Sequence, residues 1–147
     1  MDLIVYASKK GATRKVAQMI KDNKENIQLV DINEKLPNLN EYENIYIGTP
    51  IYIGMINKKI KKLINENLEI LLTKKVNIFL VGMNEKELEN TIINNFPKSL
   101  REKSIIVHVG GAYYFNKLNF FQKLIVKKVA NITKTSEAYK LDVINSL

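Results

Sequence analysis

The sequence predicts an α/β fold, a doubly wound five-stranded parallel sheet with helices on both faces. Three observations lead there. Apolar runs of strand length alternate with runs of helical spacing four times along the chain. Several of the strand runs, such as "IFLV" at 78–81 in the centre of "KVNIFLVGM", are continuously apolar instead of alternating, as strands buried on both faces are. No repeat, low-complexity tract or linker interrupts the 147 residues, so one domain over 1–147 is expected. Right-handed crossovers of these lengths wind such a chain into an open sheet.

Each element has its own reason. Asp2–Ala7 ("DLIVYA") is short, apolar, β-branched and aromatic, and reads as the first strand. Thr13 is expected to cap a helix running to about Asn23, with Val16, Ala17 and Ile20 on one face. Ile27–Ile32 is the second strand. The polar "NEKLPNLNEYE" that follows, with Pro37, suits a loop or a short helix. "NIYIGTP" is the third strand, ending near Gly48. Ile60, Leu63, Ile64 and Leu68 then recur at helical spacing. "KVNIFLVGM" is the fourth strand, "NEKELENTIINNF" a helix closed by Pro97, and "SIIVHVGG" the fifth strand. A longer, less regular stretch from Gly110 to Ile132 and a short one in "AYKLDVINSL" are both candidates for the helix that packs back on the sheet.

Composition narrows the chemistry. There are no cysteines, which removes disulfides, thiolate metal sites and cysteine nucleophiles. No apolar run approaches the roughly 20 residues of a membrane-spanning helix. The first strand begins without a basic, apolar leader, so no signal peptide and a cytoplasmic location are expected. The net charge of +8 favours an acidic partner: nucleic acid, anionic lipid, a phosphorylated ligand or an acidic protein. His108, the single histidine, sits in an apolar strand and is expected in the core. No Ser/His/Asp set, metal-ligand spacing or carboxylate pair falls in a candidate loop. Ala7-Ser8 after the first strand also excludes the acidic pair of a phosphorylated receiver domain.

Ligands of open parallel sheets bind beyond the carboxyl ends of the strands, where strand order reverses. The loops to inspect follow strands one, three and four. In the first, Ser8–Thr13, a helix N-terminus offers unpaired N–H groups to an anion. Ser8 and Thr13 add hydroxyls, Gly11 lets the backbone turn tightly, and Lys9, Lys10 and Arg14 add positive charge. The pattern matches neither a Walker loop nor a dinucleotide-binding turn.

The stretch "IVYASKKGATRKVAQMI" resembles the flavodoxin signature along its whole length. Ile4, Val5 and Tyr6 take the strand positions, Ser8, Gly11 and Thr13 the hydroxyl, small and threonine positions, and Ala17 and Ile20 the helix positions. The resemblance implies the sheet order 2-1-3-4-5 and FMN as cofactor. It gives the 5′-phosphate to Ser8, Lys9, Lys10, Gly11, Ala12 and Thr13.

In the second loop, Gly48–Asn57, glycines and Pro50 are expected to shape a turn, while Ile51, Tyr52 and Ile53 supply the apolar walls a flat heteroaromatic ring needs. The resemblance implies an isoalloxazine-binding loop with Thr49, Pro50, Ile51, Tyr52, Ile53 and Gly54 beside the ring. Gly54 is the candidate for a peptide that reorients toward the flavin N5 on reduction. In the third loop, Gly82, Met83 and Asn84 are candidates for the ring edge. Tyr113 or Tyr114, beyond the fifth strand, is the candidate for its second face.

The segment from Ser104 to Lys134 is similar to the tail of the menaquinone-dependent protoporphyrinogen dehydrogenases, a flavodoxin-like family, and "IGTPIYIGMINKKIKKLI" fits their ring-binding loop. That resemblance implies oxidation of protoporphyrinogen IX, a tetrapyrrole, with a quinone acceptor; the alternative is a simple electron carrier served by a redox partner protein. Lys117, Lys123, Lys127, Lys128, Lys134 and Lys140 outnumber the one acid between them, Glu137. Leu118, Phe121, Ile125 and Val129 share one helical face, with Phe120 opposite. Such a helix suits peripheral contact with an anionic membrane, at its inner face in the cell. A solvated lysine-rich face is the plainer alternative. A third reading is a non-enzymatic basic binding module; nucleic acid is disfavoured as its partner, since no RNA-binding motif is present. Basic surroundings are expected to raise the flavin potential above that of an acidic flavodoxin.

Overall fold

The computed structural model describes residues 1–82, 87–113 and 136–147. Its main sheet holds five parallel strands: β1 (Asp2–Tyr6), β2 (Ile27–Asp31), β3 (Asn44–Tyr52), β5 (Lys75–Val81) and β6 (Ile105–His108). Their order is β2-β1-β3-β5-β6, and every pairing among them is parallel. With β5 and β6 as the fourth and fifth predicted strands, this is the expected order 2-1-3-4-5.

Alternate residues of the same strands feed two cores, one on each face. Leu3, Val5, Ile45, Ile47, Ile78 and Leu80 enter the first; Ile4, Tyr6, Tyr46, Phe79 and Val81 enter the second. Burial on both faces is why these strands carry unbroken apolar runs. Over the first face lie α2 (Lys58–Glu66) and α3 (Leu68–Leu71), through Ile60, Leu63, Ile64 and Leu71. Over the second lie α1 (Ala12–Asp22), through Val16, Ala17 and Ile20, and the closing helix Leu141–Ser146, through Ile144. Asn23 Nδ2 donates to Asn145 Oδ1 at 2.8 Å, tying the closing helix to the end of α1. The short stretch in "AYKLDVINSL" therefore supplies a helix that packs back on the sheet. The longer predicted helix falls mainly in 114–135, outside the described residues.

Three elements differ from expectation. β3 runs four residues beyond Gly48 and turns back into the two-residue β4 (Met55–Ile56). Pro50, expected in a turn, is a strand residue opposite Val81. It is tolerated because pairing with β1 has stopped at Gly48, so at Pro50 the strand is effectively an edge. The helix predicted through Leu68 divides at Asn67, whose Nδ2 donates to the Leu63 carbonyl at 2.9 Å. The fifth strand stops at His108, and β7 (Gly110–Tyr113) pairs antiparallel with β8 (Ser136–Tyr139) as a separate ribbon. Between β5 and β6 the described chain forms α4 (Leu88–Asn95) and α5 (Lys98–Lys103). Among the described residues, no helix is long and apolar enough to cross a membrane.

Candidate functional site

Strand order reverses between β1 and β3. The chain steps from β1 to β2 on one side and then crosses to β3 on the other. The loops leaving β1 and β3 therefore open side by side, and a parallel sheet places its ligand at such a crevice. Tyr6 is level with Gly48, and the Ala7 N–H donates to the Gly48 carbonyl at 3.0 Å, so the two loops depart from one hydrogen-bonded point.

The first loop is a turn stabilised from within. Ser8 Oγ accepts the Gly11 N–H at 3.2 Å, and Gly11 has φ +101°, a left-handed conformation that suits glycine. Gly11, not Thr13, is the N-cap. Thr13 is a buried residue of the first turn of α1, because the glycine opens the helix two residues before the threonine. Lys15 N–H donates to Gly11 O at 3.0 Å and starts the helical ladder. The N–H groups of Ala12, Thr13 and Arg14 thus lie in the turn where a helix has no acceptor for them. That turn holds no acidic residue, while Lys9 and Arg14 are exposed beside it and Lys10 is half-buried. Donors, dipole and cationic side chains all favour an anion here. Close by, Tyr6 ends β1 with its phenol pKa raised, by burial first and by the charges of Asp31 and Glu34, against the opposing pull of Arg14. It is a neutral phenol.

The second loop is a hairpin. Tyr52 pairs with Met55 across a two-residue turn in which Ile53 has φ +50° and Gly54 φ +70°, the signs of a type I′ turn. Its tip is apolar and open: Tyr52 is 47%, Ile53 75% and Met55 51% exposed. Ile51, half-buried, joins the core below. At the base, buried Thr49 accepts the Asn57 N–H through Oγ1 at 3.0 Å and donates to the Pro50 carbonyl at 3.1 Å. Asn57 in turn caps α2, accepting from the Lys59 and Ile60 N–H groups.

The third loop begins at Gly82, held on three sides. Its N–H donates to the Gly110 carbonyl at 2.8 Å, and its carbonyl faces His108 Nε2 at 2.6 Å. Gly111 lies against its backbone, where a Cβ on residue 111 would come within 3.0 Å. His108 is buried as expected, with a polar task that its apolar sequence context does not announce. Met83 and Asn84 lie outside the described residues, as do Tyr114 and the lysine-rich segment through Lys134. Tyr113 is the last residue of β7, paired with Ser136.

One residue of this neighbourhood has no sequence signal. Asn95, at the end of α4, donates through Nδ2 to the Gly54 carbonyl at 2.8 Å and accepts the Ile56 N–H through Oδ1 at 3.3 Å. Its partners lie about forty positions away, beyond any local pattern. Among the described residues, no group of three or more His, Cys, Asp or Glu is placed to hold a metal ion.

A family model described as a flavodoxin domain matches residues 3–140. No curated protein matches the chain. Solved structures similar in fold include a flavoprotein in complex with FMN from Lactobacillus acidophilus, at 18% identity and TM-score 0.57, covering 74% of this chain and 91% of that one. Another is a flavodoxin, WrbA-like protein from Agrobacterium tumefaciens, at 20% identity and TM-score 0.53, covering 71% and 74%. A third is oxidised flavodoxin 1 from Bacillus cereus, at 16% identity and TM-score 0.50, covering 73% and 83%.

Proposed function

The chain belongs to the flavodoxin domain family, and from that premise we propose that it binds FMN non-covalently and transfers electrons. The observation that carries this is the junction of an anion-binding turn and an apolar hairpin on adjacent strands, at the point where strand order reverses. The donor set fits FMN at both ends. Ser8, Lys9, Lys10, Gly11, Ala12 and Thr13 hold the phosphate by amide, hydroxyl and cationic groups. Thr49, Pro50, Ile51, Tyr52, Ile53 and Gly54 flank the ring, with Gly82, Met83, Asn84 and Tyr113 assigned to its remaining edge and face. Bound FMN supplies one- and two-electron redox chemistry. The chain's part is to bind the phosphate, wall the ring from water and set the charge around it.

A titration with FMN tests the reading. Purified protein should carry flavin absorbance or quench flavin fluorescence on addition of FMN; the absence of both effects would overturn the assignment. Gly11→Val combined with Thr13→Ala should abolish binding while the circular dichroism of the fold persists. Salt-sensitive nucleic-acid binding without flavin uptake would instead support a basic binding module.

A narrower reading rests on the resemblance of 104–134 to the protoporphyrinogen dehydrogenase tail. On it, the loaded protein oxidises protoporphyrinogen with a quinone acceptor, and the basic tail meets propionates or an anionic membrane. Turnover of that substrate supports the enzyme; its absence, with FMN bound, leaves an electron carrier.

A further inference from the structure

The hairpin that would face the ring cannot hold itself. It has two strand pairs, Ile51 with Ile56 and Tyr52 with Met55. A ribbon that short is not stable in water. Its turn also contains a β-branched residue at positive φ. The support comes from α4. The buried residues of that helix, Thr91 and Asn95, stand one turn apart and are both polar, where a buried helix face is ordinarily apolar. Thr91 Oγ1 lies 3.9 Å from where a Cβ on Gly54 would sit. Asn95, 4% exposed, spends every polar atom on backbone. Nδ2 donates to the Gly54 carbonyl at 2.8 Å and to the Thr91 carbonyl at 2.7 Å, and Oδ1 accepts the Ile56 N–H at 3.3 Å. One amide thus fixes the turn at Gly54 and the strand two residues on, and ties both to its own helix. The same helix follows the third loop, which leaves β5 at Gly82.

We propose that Asn95 is a positioning residue for the flavin: by holding the Gly54 carbonyl and the Ile56 amide, it sets the pose of the Tyr52–Gly54 turn against the ring and so governs FMN affinity and potential without touching the cofactor. The proposal rests on the FMN site argued above. A buried polar side chain is costly unless fully bonded. An apolar residue would fill the position at lower cost if packing were its only task. An asparagine supplies donors and an acceptor together, which the two ends of the turn require.

The test compares wild-type protein with Asn95→Leu and Asn95→Asp, by FMN titration, by the midpoint potential of the bound flavin, and by hydrogen exchange of the Ile56 amide without flavin. Asn95→Leu removes all three bonds. It should weaken FMN about tenfold or more, shift the potential, and speed exchange at Ile56. Asn95→Asp keeps the acceptor for Ile56 N–H and loses the donor to Gly54. At neutral pH it should bind FMN weakly, with exchange at Ile56 near wild type. Its affinity relative to wild type should recover as pH falls and the carboxyl regains a proton to donate. If Asn95→Leu does not fold, Asn95→Asp decides. Wild-type affinity and potential in the variants, or affinity falling only in step with melting temperature at unchanged potential, would overturn the proposal. Failure of the wild-type protein to take up FMN overturns the cofactor reading instead, and the exchange of Ile56 then still reports whether Asn95 holds the hairpin.

Discussion

At φ +50°, Ile53 holds a backbone conformation that a β-branched side chain enters at a cost of about 1–2 kcal/mol. Ile53→Asn places a residue that tolerates this region and removes an exposed isoleucine. It should stabilise the flavin-free protein by about 1 kcal/mol, measured as a higher urea midpoint with an unchanged slope; a lower midpoint would mean that the isoleucine packs favourably where it stands. Residue-scale legibility was uneven for physical reasons. Gly11 was readable because a tight turn before a helix favours glycine. Thr13 reads as a cap because threonine commonly caps, and the left-handed glycine that displaces it shows only in the backbone angle. Asn95 was unreadable: in "NTIINNF" it is one asparagine among several, and only a partner forty residues away makes it different.

Elements were read best where burial leaves a periodicity. β1, β3 and β5 are apolar on both faces because both faces are covered, and that pattern needs no partner to be recognised. The hairpin beyond Gly48 has no strong local signal, because its turn is Ile-Gly and lacks the Asn-Gly or Asp-Gly that marks most type I′ turns. The β7–β8 pair joins segments more than twenty residues apart, which no local signal encodes. Within β3, Gly48 is required by packing. A Cβ there would stand 2.2 Å from the ring of Phe79, which is fully buried on β5. Gly48→Ala should therefore destabilise the protein by roughly 1–3 kcal/mol through overpacking, read as a drop in unfolding free energy. Adding Phe79→Leu should recover part of it, and additive losses would refute the contact.

At the scale of the molecule, the net charge of +8 and the cationic groups around the first loop would give the proposed electron transfer a direction of approach. Lys9, Arg14, Lys58 and Lys59 are exposed near the loop ends of β1 and β3. An acidic protein partner is therefore expected to dock faster than a basic one. The rate of reduction or oxidation by an acidic redox protein should fall steeply as ionic strength rises from about 0.01 M to 0.1 M, where the screening length drops from about 30 Å to about 10 Å. A salt-independent rate would place the contact elsewhere. Strand order was legible through family resemblance, whereas the sequence periodicity supported only the class of fold.

The single hydrogen bond from Ala7 to the Gly48 carbonyl has a thermodynamic meaning. It links the Ser8–Thr13 turn to the strand carrying the Tyr52–Met55 hairpin before any ligand arrives, so on the proposed FMN reading the two half-sites would act as one chelating site. With the phosphate of FMN seated in the turn, the ring would meet the hairpin at a high effective concentration. Riboflavin and inorganic phosphate offered separately would forgo that advantage, and their combined binding free energy is expected to fall short of that of FMN.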